Sequence, residues 1–338
     1  YSLSYIIVFF LVVYAVYFFI IPLGARFARR FGFEHSIIAS TIVFICYYIV
    51  FYNIAGYPWL FFVAAILYAV QKTLYWPAYH ADFAFNINAR EDGREIGGID
   101  SLVLITNIAA PFLAGVILQV FGFAALFIVV SVIFLLSNLP LLSTGEVFVP
   151  QAFDYAATYK RLFARENWRR LLGYMGYGEE LIALVVWPVF MMVVIGNLFN
   201  IGLIVAFATL ITVFATMLIG RMSDRGDKQR VLRFGSILYA LVWFVRLIVR
   251  NPWGVFAFET LSRFSKESVS VPLISLTYER AQRMKVMQTV LFFEMSLVVG
   301  KLTALVLTFA LLQIWTGMAA YHAAFILAGL MTLLYMLI

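Results

Sequence analysis

The residues of this chain that could do chemistry are charged side chains set inside long apolar runs. In the run 253–278, Glu259, Arg263, Lys266, Glu267 and Ser270 stand at i, i+4, i+7, i+8 and i+11, on one face of a helix. The run 59–81 presents Lys72, Trp76, Tyr79 and His80 in the same rhythm. Glu179 and Glu180 lie in the run 170–194, about 100° apart around a helix, and Glu294 and Lys301 share a face of 286–312. A charge at mid-bilayer costs about 2.5–3.5 kcal/mol. Four cations (Lys72, Arg263, Lys266, Lys301) and five carboxylates (Glu179, Glu180, Glu259, Glu267, Glu294) would together cost more than roughly 20 kcal/mol if left unpaired. They must pair, neutralise by protonation, or face water. The chemistry open to such a set is binding of a polar solute and reversible protonation of a carboxylate. The alternative is a set of salt bridges that lock the bundle, with Glu259–Arg263 and Arg263–Glu267 pairing within one helix. For Glu294 and Lys301 that structural role is the favoured one, and His80 reads as an interfacial histidine near one rim. Trp76, Tyr79 and Trp187 are deep enough to stack on a solute, although packing is the commoner fate of such rings.

The elements that must position these residues are membrane helices. The chain of 338 residues is 64% hydrophobic and only 12% charged, about half the charge of a soluble domain. Its apolar runs are continuous for about twenty residues, too long and too uniform for barrel strands. Eleven spans are predicted: 5–23, 36–54, 59–81, 101–121, 123–143, 170–194, 199–219, 232–249, 253–278, 286–312 and 319–338. Alternate loops carry 18 of the 24 lysines and arginines, whereas Arg246 and Arg250 sit at the rim of one turn on the other side. The basic loops are therefore assigned to the cytoplasm, against an anionic leaflet. Tyr57, Trp59, Trp253 and Trp315 fall at the opposite ends of the spans, where an aromatic belt belongs. Residues 144–168 form the longest stretch outside the spans. Phe153, Tyr155, Tyr159, Leu162 and Phe163 alternate there with Asp154, Lys160, Arg161 and Arg165, a pattern that suggests an amphipathic surface helix. Together with Pro150, this stretch separates a helical bundle at 1–143 from a second at 169–338.

A polar turn, Gly220-Arg221-Met222-Ser223-Asp224-Arg225-Gly226-Asp227-Lys228-Gln229-Arg230, has an echo at Gly24, Arg29 and Arg30, an offset of 196. Pro77 and Pro272 repeat at 195, and by that offset Lys72 corresponds to Glu267. The halves read as repeats of one design in the same topology. The sixth predicted span then lacks a partner, which places a missing span before Tyr1 and makes six plus six. At this point the chain resembles the major facilitator superfamily, which carries a G-x-x-x-D-R/K-x-G-R/K-R/K-type motif in the turn after its second span and a weaker copy after the eighth. The better copy here is the later one, with Gly220, Asp224, Arg225, Lys228 and Arg230. The earlier copy has Ala28 where the family usually has aspartate. Ala110-Pro111-Phe112-Leu113-Ala114-Gly115 is similar to the family's G-P-x-x-G-G with two glycines replaced.

The resemblance implies an all-α membrane fold of two six-helix bundles with eleven of twelve helices in this sequence. It also implies a cytoplasmic gate at the two motif copies and a central cavity lined by the spans that carry Lys72, Trp76, Tyr79, Glu179, Glu180, Glu259, Arg263, Lys266 and Glu267. The function it implies is secondary transport by alternating access of a small polar or zwitterionic solute, as symporter or antiporter with protons, by a monomer in the cytoplasmic (inner) membrane. A non-transporting sensor or scaffold on the same fold is the alternative, kept open by Ala28. Nothing in the sequence points to an enzyme: it has neither H-E-x-x-H nor G-x-S-x-G, no G-x-x-x-x-G-K-[ST], and three scattered histidines. Cys46 is the only cysteine, so no catalytic residue, metal, cofactor or disulfide is assigned, and the basic residues, confined to loops between spans, do not suggest nucleic acid.

Overall fold

The structure, a computed structural model, describes residues 3–86, 92–143, 154–225 and 227–338. The helices in chain order are α1 (Leu3–Phe31), α2 (Phe33–Tyr52), α3 (Leu60–Asn86), α4 (Asp92–Ser137), α5 (Leu139–Ser143), α6 (Tyr155–Leu162), α7 (Arg165–Ile195), α8 (Leu198–Arg225), α9 (Lys228–Val245), α10 (Pro252–Arg283), α11 (Val286–Ile314) and α12 (Met318–Leu333). Among the described residues, eight helical stretches are long and apolar enough to cross a membrane. Of the remaining long helices, α10 carries the densest charge, and it is the one that brings Glu259, Arg263, Lys266 and Glu267 into the bundle. Long apolar helices with no strand among the described residues define an all-α, multi-pass membrane protein.

The boundaries correct the sequence reading in one respect. The basic stretch after Gly24 is not a loop: α1 stays helical to Phe31, and the turn is made at Gly32 alone, whose φ of 96° suits glycine. Gly220 to Arg225 likewise form the end of α8, so the motif arginines extend a helix rather than cap one. Gly24 therefore serves close approach and not termination. A Cβ there would come within 1.9 Å of the Thr73 carbonyl oxygen on α3. Gly122, at φ 78°, breaks α4 into two spans without a loop. Pro150 and Phe153 lie outside the described residues.

The linker helix α6 is capped by Asp154, whose side chain accepts hydrogen bonds from the Ala156 and Ala157 amides at 2.9 and 3.3 Å. Its tyrosines reach the backbone of α1. Pro22 has no N–H, so it cannot bond the carbonyl four residues earlier, that of Phe18. Tyr159 donates its hydroxyl to that oxygen at 2.9 Å, and Tyr155 donates to the Phe19 oxygen at 2.6 Å. From the other side of α6, Arg161 donates to Gln288 on α11 at 2.6 Å. The linker thus touches both halves.

Span α7 is irregular along its length. A tight 3-10 turn at Gly176–Gly178 is followed by a π turn at Ile182–Val186, and Pro188 follows directly. The glycines of α7 do more than loosen it. They let α11 and the C-terminal end pack close: a Cβ on Gly178 would sit 2.5 Å from the Gly300 oxygen, and one on Gly300 would sit 2.3 Å from the Met175 oxygen. Both obstacles are backbone atoms, so Gly300→Leu forces two helices apart. It is expected to destabilise the protein by about 1–3 kcal/mol. The control Gly202→Ala, with nothing within 4 Å of the new Cβ, should leave the melting temperature in detergent unchanged or higher.

Candidate solute site between the two halves

A cavity of about 580 Å³ opens between α1, α3 and α4 on one side and α7, α10 and α11 on the other. Its charged lining comprises Lys72, Glu180, Lys266, Glu267, Glu294 and Lys301, together with His80. Aromatic side chains fill the gaps between these charges, including Tyr14, Tyr17, Tyr68, Trp76, Tyr79, Tyr177 and Tyr278. The volume lies within the range usual for small-molecule sites.

The adjacent glutamates of α7 part company. Glu179 is fully buried inside the second half, where it contacts the Lys266 ammonium and accepts hydrogen bonds from Tyr239 (2.7 Å) and Tyr335 (3.3 Å). Glu180 points the other way, into the cavity, and pairs with Lys301 of α11 at 2.6 Å. Glu179 therefore holds Lys266 in place from behind, while Glu180 is part of the wall. Lys72 and Glu267, which correspond by the repeat, face the same cavity from α3 and α10.

At the end of the cavity nearer the basic loops, His80 spans the two halves. Its Nε2 is 3.0 Å from a Glu294 oxygen and its Nδ1 is 2.6 Å from the Tyr278 hydroxyl. Tyr17 donates to the other Glu294 oxygen at 2.8 Å. His80 and Tyr17 belong to the first half, Tyr278 and Glu294 to the second. His80 is only 6% exposed, both ring nitrogens being engaged at that end of the cavity. Glu294 and Lys301, read as structural from their spacing alone, are both cavity residues. Below them, Ala81 and Ala84 of α3 pack with Ala281 of α10 and Val286 of α11, and Gln282 donates to the Ala84 oxygen at 3.0 Å. This apolar cluster joins the halves at the basic-loop end.

Glu259 and Arg263 lie outside the cavity. Glu259 accepts from Trp187 (2.8 Å) and from Arg263 (2.7 Å), and stands 3.7 Å from Arg246. Trp187 is consumed by this cluster and does not reach a solute. Arg246, assigned to a loop rim by position, is 1% exposed. Its guanidinium lies between two indoles, 3.8 Å from the Trp187 centroid and 4.1 Å from that of Trp243. Its Nε and Nη1 have no hydrogen-bond partner among the described residues. The sequence signal for this site was the spacing of Trp243 and Arg246, one turn apart at the end of an apolar run.

In the motif copies, Lys228 pairs with Glu279 of α10 at 2.6 Å, and Arg230 lies 3.4 Å from Asp227. The side chain that caps the N-terminus of α9 is Asp227, which accepts from the Gln229 and Arg230 amides. Of Gly220, Asp224 and Arg225 only the backbone, at the end of α8, is described. Arg30 stacks over Phe31 at 5.2 Å, and Arg29 occupies the last turn of α1. Among the described residues no group of His, Cys, Asp and Glu side chains is arranged to hold a metal ion.

The described residues form a multi-pass helical bundle with a charged cavity at its centre. No protein-family model matches the chain, and no curated protein matches it in sequence. Solved structures do. The fucose:proton symporter FucP of E. coli superposes with a TM-score of 0.70 at 12% identity, covering 98% of this chain and 91% of that one. FucP in an outward conformation, described as a major facilitator superfamily transporter, gives 0.70 at 13% identity over 96% and 88%. The human organic anion transporter MFSD10 gives 0.66 at 15% identity over 97% and 83%. The chain has the major facilitator fold.

The charge clusters differ in what they should contribute to stability. Glu259→Gln strands Arg246 between its indoles and is expected to cost about 3–5 kcal/mol. Arg263→Gln removes a partner that is 29% exposed and should cost under about 1 kcal/mol. Thermal denaturation in detergent ranks the two, and equal losses would overturn the place given to Arg246.

Proposed function

We propose that this chain is a secondary active transporter that moves a small polar solute by alternating access, coupled to protons, in the cytoplasmic membrane. The observation that carries this reading is the cavity itself: its charges come from both halves of a repeated bundle, so a bound solute touches both. The fold shared with a fucose:proton symporter and an organic anion transporter supports it. The basic loops support an orientation with the His80 end of the cavity towards the cytoplasm.

The coupling proton is assigned to Glu294. A coupling group must link its protonation to the relation between the halves, and Glu294 of the second half is held by Tyr17 and His80 of the first. Neutralising Glu294 removes the charge that His80 and Tyr17 hold, and so loosens the contact at that end. Glu180, by contrast, is paired with Lys301 inside its own half.

Proteoliposomes of the full chain, offered sugars, carboxylates and amino acids under an imposed proton gradient, test both statements. The wild type should accumulate at least one solute, and an uncoupler should abolish that accumulation. Glu294→Gln should retain solute exchange but lose at least about tenfold in gradient-driven accumulation, within the usual size of a coupling free energy. Failure to move any solute across the panel sinks the transporter reading. Wild-type proton dependence in Glu294→Gln, with the loss appearing in Glu180→Gln or Glu267→Gln instead, moves the coupling site to the cavity wall.

A further inference from the structure

The basic side chains lining the cavity are not equivalent. Lys266 is held by Glu179, Lys301 lies 2.6 Å from Glu180, and His80 lies 3.0 Å from Glu294. Lys72 makes no ion pair or hydrogen bond through its ammonium among the described residues, although it is only 8% exposed. What surrounds it is aromatic. Its Nζ lies 5.0 Å from the Tyr68 ring centroid, 5.4 Å from Tyr14 and 5.8 Å from Trp76. Three ring faces offset part of the cost of burying an ammonium, but they accept none of its N–H bonds strongly. The carboxylate of the wall that would draw it, Glu180, is committed to Lys301. Lys301 also stands 5.4 Å from the Tyr14 ring, so two ammonium groups share one phenol.

From this geometry we infer that Lys72 is the specificity residue of the cavity and that the solute carries a carboxylate, which pairs with the Lys72 ammonium inside the Tyr14–Tyr68–Trp76 cage. The inference rests on the transporter reading for its biological sense, but not for its chemistry. A carboxylate supplies the acceptor that the ammonium lacks, and the rings around it give a flat or apolar body a surface to lie on. A neutral solute of the same shape leaves Lys72 buried without an acceptor, which is where discrimination arises.

Equilibrium binding to the purified full chain in detergent, read by tryptophan fluorescence and by thermal shift, tests this without any transport step. The probes are glucuronate beside glucose, benzoate beside benzyl alcohol, and butyrate beside butanol. At least one carboxylate should bind the wild type tenfold or more tightly than its neutral counterpart. Lys72→Met should abolish that preference, weakening the carboxylate and no longer penalising the neutral compound, and Lys72→Arg should restore it. If Lys72→Met does not fold, the wild-type pairs and Lys72→Arg decide. No binding of any carboxylate, equal binding of the paired compounds, or an undiminished preference in Lys72→Met overturns the inference. A chain that binds carboxylates in detergent yet moves nothing in liposomes overturns the transporter reading and leaves this one standing.

Discussion

Hydrocarbon does not tolerate an uncompensated charge, and the arrangement of the bundle follows from that. Counted from the sequence, the spans held four cations against five carboxylates. Arg246 supplies the fifth cation, buried at the end of α9 beside Glu259. With five charges of each sign, four of the carboxylates can be placed by what they hold: Glu179 holds Lys266 from behind, Glu180 holds Lys301 across the wall, Glu294 holds His80 across the halves, and Glu259 anchors α7 to α9 and α10 through Trp187, Arg246 and Arg263.

Much of the architecture was legible in the chain. Span positions and the helical faces of α3 and α10 follow from hydropathy and periodicity, because a bilayer enforces both. The pairing of Lys72 with Glu267 across the repeat led to two residues of one cavity. What the chain concealed was the partner of each charge. Spacing along one helix shows that Glu259 and Arg263 can pair, but not that they turn away from the cavity, since this depends on where α7 and α9 lie. Glu294 and Lys301 looked structural because seven residues on one face is also what packing produces. Arg246 was hidden by its position, since a basic residue at the end of a span is ordinarily a loop charge. Tyr17 carried no signal, being one of 19 tyrosines in the chain.

The motif turns show a related limit. Their glycines mark the start of a polar turn in sequence, yet Gly24 lies within α1 where that helix meets the Thr73 carbonyl. A glycine needed for close approach and a glycine needed for a stop look the same in one dimension. The two are told apart only by whether φ is positive, as at Gly32, or helical, as at Gly24.

The proline in α1 has a mechanical consequence. By freeing the Phe18 oxygen it gave Tyr159 an acceptor inside a membrane helix, and so a purchase for the linker on the first half, while Arg161 grips Gln288 on the second. Helix α6 is therefore tied to helices on both sides. Any displacement of α1 relative to α11 has to strain or break one of those bonds.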